Sequence, residues 1–176
     1  MINYVQGDAT QPELQTDVSA ERPAIIVHCC NNIGGWGAGF VLEISNRWLE
    51  PERAYRDWAN NRPVKTTEPF ELGRVQLVGT SNPFIAVANL IGQDGIGPGS
   101  TSPTPECRRQ DGLPPIRYDA IRMGMYDVTG YALEYKATVH MPRIGCGLAG
   151  GTWDKIEKCL KPLEMLNVET YVYDFE

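Results

Sequence analysis

Val139-His140-Met141-Pro142-Arg143-Ile144-Gly145-Cys146-Gly147-Leu148-Ala149-Gly150-Gly151 runs from an apolar strand into a glycine-rich turn, with a helix expected from Thr152. Glycine adopts positive φ at little cost and lets backbone come close to a ligand. A turn that aims successive N–H groups at one point beside a helix N-terminus favours an anion such as phosphate. A tight strand-to-helix turn without any ligand fits the same residues, so the neighbouring segments must decide.

A second stretch has the same form. Ala24-Ile25-Ile26-Val27-His28-Cys29-Cys30 is a continuous apolar run, the pattern of a strand buried on both faces. It breaks at Asn31-Asn32-Ile33-Gly34-Gly35-Trp36-Gly37-Ala38-Gly39, and Phe40 to Trp48 reads as an amphipathic helix. Both glycine turns thus follow a buried strand and precede a helix. In an α/β sheet that puts them at the C-terminal edge, where ligands bind. Two such loops on one edge can grip a diphosphate from both sides.

The remaining segments continue the alternation. Ile2 to Val5 is β-prone, and a helix is expected to start at Pro51 and run through Tyr55 and Trp58. Strand candidates are Gly73 to Val78, Phe84 to Ile91, Thr138 to Met141 and Glu169 to Tyr173. Ile116 to Tyr135 has helical spacing with Ile121, Met125 and Val128 toward the core, and Trp153 to Leu163 reads as one helix. Strands alternating with helices predict an α/β sandwich on a largely parallel sheet. Residues 92–115, rich in Gly, Pro, Ser and Thr, form a long irregular loop of the kind that tends to be functional or disordered.

The 176 residues fit one domain, 1–176, large enough to bury its core without disulfides or metal. A hydrophobic fraction of 42% against 22% charged excludes a disordered chain. The net charge of −6 argues against tight non-specific nucleic-acid binding, though not against local arginine contacts to a diphosphate. Arg108 and Arg109 read first as a solvated charge pair, with cover for a ligand phosphate as the alternative. No apolar run reaches the length of a membrane span, and the N-terminus reads as a strand rather than a signal peptide. Five cysteines without regular spacing point to a reducing compartment, the cytoplasm by default. No His/Cys set has zinc-like spacing, so metal ligands are expected to be none, and no cofactor is implied. His28 reads first as a core histidine satisfied by hydrogen bonds. Trp36, inside a glycine turn, is less expected of a core residue.

Taken together, Gln6-Gly7-Asp8-Ala9-Thr10, Val27 to Asn31 with Gly37-Ala38-Gly39, Pro142 to Leu148, and Val172-Tyr173-Asp174 resemble the macrodomain, the ADP-ribose-binding family with a three-layer α/β/α fold on a mixed, largely parallel central sheet. His28-Cys29 with the Gly37-Ala38-Gly39 loop, and the Pro142-Arg143-Ile144-Gly145-Cys146-Gly147-Leu148 loop, look most like the terminal ADP-ribose glycohydrolase branch. The resemblance implies roles for particular residues. Asp8 would accept from the adenine amino group with the Ala9 backbone alongside, although a turn or N-cap acid is the competing reading. Tyr173 would stack on adenine, although an aromatic on a strand is more often a core residue. Asn31 would contact the distal ribose, Trp36 would form a wall of the ribose pocket, and Gly37, Ala38 and Gly39 would wrap the diphosphate and distal ribose. Ile144, Gly145, Cys146, Gly147 and Leu148 would line the phosphate loop. The implied partners are ADP-ribose and ADP-ribosylated protein, with a single ADP-ribosylated nucleobase as a further class, no membrane, and a monomer.

The sequence departs from that branch where chemistry is concerned. An Asp would follow the Gly-Cys-Gly-Leu run and a Lys would follow the fourth strand, but these positions hold Ala149 and Gln93. Alanine transfers no proton and glutamine is no Lys-type nucleophile. The expectation is hydrolysis of mono-ADP-ribose linkages, ester to acidic side chains, by a positioned water, with Gln93 orienting the water and Asp94 the nearest acid able to serve as base. Such members look like a bacterial subgroup. A non-catalytic ADP-ribose reader, a phosphatase acting on ADP-ribose 1″-phosphate, and a nucleotide-binding α/β domain of another kind are the alternatives.

Overall fold

The computed structural model describes residues 1–96 and 113–175. Arg108 and Arg109, and most of the long loop, lie outside the described residues. In chain order the elements are β1 (Ile2–Gln6), β2 (Ala24–Asn31), α1 (Phe40–Arg47), α2 (Glu50–Ala59), β3 (Val75–Gly79), β4 (Ile85–Gln93), α3 (Tyr118–Tyr135), β5 (Thr138–Pro142), α4 (Trp153–Cys159), α5 (Lys161–Met165) and β6 (Thr170–Asp174), with a short 3-10 turn at Pro12–Leu14.

Six strands form one sheet in the order β1-β6-β5-β2-β4-β3. Every pairing is parallel except that of β3 with β4, a hairpin turning through Asn82-Pro83. The largely parallel α/β sandwich is what the alternation of elements predicted, and the mixed sheet is what the family resemblance implied.

Side-chain alternation along β2 and β4 sorts the core into two layers. Ile25, Val27, Ala88 and Leu90 meet Ile121, Met125, Val128, Ile156 and Leu163 from α3, α4 and α5. Ala24, Ile26, Cys30, Val87 and Ile91 meet Ile44, Tyr55 and Trp58 from α1 and α2. The central strands are covered on both faces, which is why their sequences read as unbroken apolar runs.

Two helix boundaries differ from expectation. Ile116 pairs as an isolated bridge with Gln93, so α3 starts at Tyr118. The helix expected from Trp153 to Leu163 is two helices. Leu160 ends α4 and caps α5, whose Pro162 lacks the N–H needed to continue the earlier ladder.

Candidate functional site at the C-terminal edge of the sheet

Strand β2 lies between β5 and β4, so three neighbouring strand exits meet at one edge. At the β2 exit the Asn31 amide is the hub of the first glycine loop. Its Oδ1 accepts from the backbone N–H of Ile33 and of Gly35, both at 3.0 Å, and its Nδ2 donates to the Gly35 carbonyl at 2.9 Å. A Cβ on Gly35 would stand 3.0 Å from Asn31 Nδ2, a tight contact from which the amide would have to give way. Asn31 is buried, and its side chain is committed to the loop. These bonds give the loop its shape.

Trp36, expected as a wall of a ribose pocket, is enclosed. It is 4% exposed, donates its indole N–H to Ser45 Oγ at 2.8 Å, and packs edge-on against His28. It anchors the loop in the α1/α2 core layer. Gly37, Ala38 and Gly39 beyond it are exposed, and Gly39, at φ +81°, turns the chain into α1. Among the described residues their N–H groups have no hydrogen-bond partner.

The β5 exit holds the second loop. Gly145 and Gly150 have φ of +73° and +77°, and the Gly151 N–H donates to the Gly145 carbonyl at 2.7 Å. A Cβ on Gly151 would lie 2.5 Å from that same carbonyl oxygen, so the ring closes only around glycine. Ile144 and Ala149 point into the core, while Gly147 and Leu148 face solvent. The N–H groups of Cys146, Gly147 and Leu148 are unpaired among the described residues. An exposed run of unpaired donors at a strand-to-helix turn can receive an anion.

At the β4 exit are Gln93 and Asp94, both half-buried. Gln93 Nε2 donates to the Gly95 carbonyl at 3.1 Å. Asp94 Oδ1 accepts from Asn32 Nδ2 at 3.1 Å, and Oδ2 lies 3.7 Å from Arg117 Nη2. The sequence reading overlooked Asn32, although it follows Asn31 directly. Ala149, the counterpart of an acid in the resembling branch, is 5% exposed and offers only its carbonyl, which accepts from the Ile116 N–H.

On the other side of β5 the edge continues along β6 and β1. Asp8 Oδ1 accepts from the Thr10 N–H at 2.8 Å and from the Thr10 hydroxyl at 2.7 Å, and Arg47 approaches Oδ2 at 3.7 Å. Partial burial raises the pKa of this carboxyl, but the Thr10 bonds, Gln11 and Arg47 outweigh it and hold Asp8 below the usual value. The turn-acid reading of Asp8 is realised, and its remaining exposure leaves it open to a ligand as well. Ala9 beside it is buried.

Tyr173 is not the open platform expected. It is 3% exposed, and its hydroxyl is 2.8 Å from His140 Nδ1. Phe175, two residues on, is 76% exposed and follows the strand end whose Asp174 carbonyl accepts from the Gly7 N–H. Phe175 lies just beyond β6, and the sequence reading did not single it out.

His28 has the bland role: 2% exposed, Nε2 is 2.5 Å from Asn89 Oδ1, and burial lowers its pKa to about 4 despite that bond. Burial pushes the Cys29 thiol up to about 12 and raises Cys30 and Cys146 as well, so none is a ready thiolate. Among the described residues no three His, Cys, Asp or Glu side chains cluster as metal ligands, and no helix is long and apolar enough to cross a membrane. A shallow cleft of about 330 Å³ lies at the opposite edge between Pro23, Phe84, Tyr135 and Ala137. It contains none of the candidate residues.

No family model matches the sequence. Two solved bacterial structures superpose along the whole chain. One, a protein of unknown function from Bacteroides thetaiotaomicron, is 43% identical with a TM-score of 0.82, covering 99% of this chain and 98% of that one. The other, a macrodomain protein from Streptomyces coelicolor, is 40% identical with a TM-score of 0.75, covering 99% of each. Among curated proteins, mouse chromodomain-helicase-DNA-binding protein 1-like is 30% identical over 99% of this chain, which spans 18% of that protein's length. ADP-ribose 1″-phosphate phosphatase of Candida albicans is 23% identical over 98% of this chain and 99% of the relative. With 40% identity and a TM-score of 0.75 to a macrodomain along 99% of both chains, this chain belongs to the macrodomain family.

Proposed function

We propose that this chain binds ADP-ribose along the C-terminal edge of the sheet and hydrolyses mono-ADP-ribose esters of acidic side chains, releasing ADP-ribose. One observation carries the reading: the exits of β5, β2 and β4 are adjacent, so two loops with unpaired N–H groups stand beside Gln93 and Asp94. From β1 to β4 the edge crosses four strand spacings, on the order of 20 Å. An extended nucleoside diphosphate sugar fits such a line. Adenine lies at Asp8, Ala9 and the β6 end, where the exposed Phe175, rather than the enclosed Tyr173, is open to a ring. The diphosphate lies between Gly37–Gly39 and Gly145–Leu148, and the distal ribose beside Gln93.

In this reading the loops hold the anomeric carbon in place while Gln93 orients a water. The water oxygen forms a bond to that carbon, the bond to the acyl oxygen breaks, and the acceptor leaves as a carboxylate. Asp94 takes the water proton. Oxocarbenium-like charge is stabilised by the neighbouring phosphate, so positioning and electrostatics supply the acceleration. With Ala149 and Gln93 in place of an Asp/Lys pair, no covalent intermediate is formed. This makes the chain a member of the terminal glycohydrolase-like branch with different chemistry.

The Candida relative named for ADP-ribose 1″-phosphate favours a second reading, removal of a terminal phosphate on the same edge. His28 does not serve it, being enclosed and bonded to Asn89. Asp94 would have to act alone.

The test is to incubate the protein with substrate auto-ADP-ribosylated on acidic residues, and separately with ADP-ribose 1″-phosphate, following free ADP-ribose and phosphate. Release of ADP-ribose from the ester that fails in Asp8→Ala and Gln93→Ala supports the hydrolase. Release of phosphate alone selects the phosphatase. Calorimetric binding of ADP-ribose with neither release makes the chain a reader.

A further inference from the structure

Asn32 makes three contacts with three consecutive residues across the gap between the β2 and β4 exits. Its backbone N–H donates to the Gln93 carbonyl at 3.2 Å, its Nδ2 donates to Asp94 Oδ1 at 3.1 Å, and its Oδ1 accepts from the Gly95 N–H at 2.8 Å. The two side-chain bonds fix the amide orientation, because an N–H can only meet the oxygen and a carboxylate can only meet the nitrogen. On the far side Arg117 Nη2 lies 3.7 Å from Asp94 Oδ2, while its Nη1 is held by the Pro114 and Ile116 carbonyls at 2.8 and 2.7 Å. The Asp94 N–H is itself engaged by the Pro115 carbonyl at 2.8 Å. The carboxylate is thus gripped from two elements.

The strand register explains why such a grip is needed here. Along β2 and β4 the pairing runs one to one up to Cys30 and Ile91, then slips so that Asn31 faces Gln93. Gly92 is the extra residue. A Cβ there would come within 2.2 Å of Ile121 Cδ1 and 2.8 Å of Cys29 Sγ, so any larger residue at the slip must displace those side chains. A bulge of this kind re-aims the side chains that follow it and leaves the ladder locally broken. Asn32 replaces the lost ladder contacts with its own.

We infer that Asn32 is a positioning residue that aims Asp94 and fixes the Gln93–Gly95 turn for the reaction proposed above, on which this inference rests. Asn31 and Asn32 divide the work. The first shapes the glycine loop on its own strand, and the second reaches across to the neighbouring exit.

The test is a double-mutant cycle on the full chain with the mono-ADP-ribosylated acidic-residue substrate, reading kcat and KM together with calorimetry of ADP-ribose. Asn32→Asp keeps the acceptor for the Gly95 N–H but sets a carboxylate against Asp94. Asn32→Ser removes the reach to Asp94 without adding charge, and is read beside it should the first variant melt early. The expected result is a fall in kcat of about tenfold or more with ADP-ribose affinity held within about twofold. In an Asp94→Ala background neither Asn32 change lowers kcat further. Wild-type kcat in both Asn32 variants while Asp94→Ala loses turnover overturns the role of Asn32 and leaves the functional reading standing. Multiplicative losses in the double variants also overturn it. Wild-type turnover in Asp94→Ala removes Asp94 from the reaction and the inference with it.

Discussion

The Tyr55 hydroxyl lies 2.7 Å from the Asn31 carbonyl oxygen and 2.8 Å from Asn31 Oδ1, joining the middle of α2 to the last residue of β2. Tyr55 is fully buried, and its ring packs against Trp36 and Phe70. Burial pushes its pKa above the usual tyrosine range, so it remains a neutral donor at any working pH. Tyr55→Phe keeps the packing and removes the donor from two acceptors in a closed site. A loss of about 1–3 kcal/mol is expected in urea denaturation. ADP-ribose affinity falls with it, because Asn31 Oδ1 also organises the Ile33 and Gly35 amides. Unchanged stability and affinity would show that the loop holds its shape without this bond.

Two histidines make stability depend on pH. His28 and His140 are 2% and 0% exposed, and burial lowers their pKa values to about 4 and about 3. For His140 the nearby Glu169 pulls the other way without offsetting burial. Because the folded values lie below the unfolded value near 6.5, the unfolded chain binds protons first as pH falls. Their contribution is therefore complete above about pH 6.5 and is lost as pH drops toward about 4. The slope is at most about 1.4 kcal/mol per pH unit for each ring. Urea midpoints measured between about pH 7 and pH 5 should fall in the wild type and fall less steeply in His140→Gln. Equal slopes in both would remove His140 from this dependence.

Much of this was legible in the sequence because it was written in backbone chemistry. Apolar runs such as Ala24 to Cys30 and the two glycine clusters locate strands, turns and sheet edge without reference to partners. The contacts of Asn31, Tyr173 and Trp36 were not legible, since each depends on how a strand or loop is brought against another element. Tyr55 and the loop amides claim Asn31, His140 claims Tyr173, and Ser45 with His28 encloses Trp36. Asn32 was hidden for the same reason: its partners lie more than sixty residues away, across a strand pairing that slips by one.

The two loops allow shape and ligand contact to be separated with single methyl groups. A Cβ at Gly147 meets nothing within 4 Å, whereas one at Gly151 would strike the Gly145 carbonyl oxygen at 2.5 Å. Gly151→Ala should lower the melting temperature and abolish ADP-ribose binding, because the chain must move to relieve a backbone clash. Gly147→Ala should melt like the wild type and still bind ADP-ribose more weakly, its methyl standing on the surface proposed for the diphosphate. Full affinity in Gly147→Ala would move the diphosphate off that part of the loop.

Arg143 and Trp153 stand at the two ends of that same loop and meet each other. The Arg143 guanidinium lies 5.2 Å from the Trp153 ring and 5.3 Å from the Tyr4 ring, and forks onto Asp174 at 2.5 and 3.1 Å. Tyr4 in turn donates to Glu157 at 2.6 Å and accepts from the Trp153 indole at 3.1 Å. The cluster ties the loop ends to β1 and β6 at a partly exposed surface, where ion pairs add little to global stability. Arg143→Ala should therefore leave the denaturation midpoint nearly unchanged while speeding amide exchange over residues 144–151. Affinity for ADP-ribose should fall about two- to fivefold, the scale of an exposed cation–π contact. Arg143→Lys should recover little of it, since an ammonium cannot reproduce the planar fork and the ring stacking together. If exchange in the loop is unaltered in Arg143→Ala, the loop is held by its own glycine turns, and Arg143 serves only the surface.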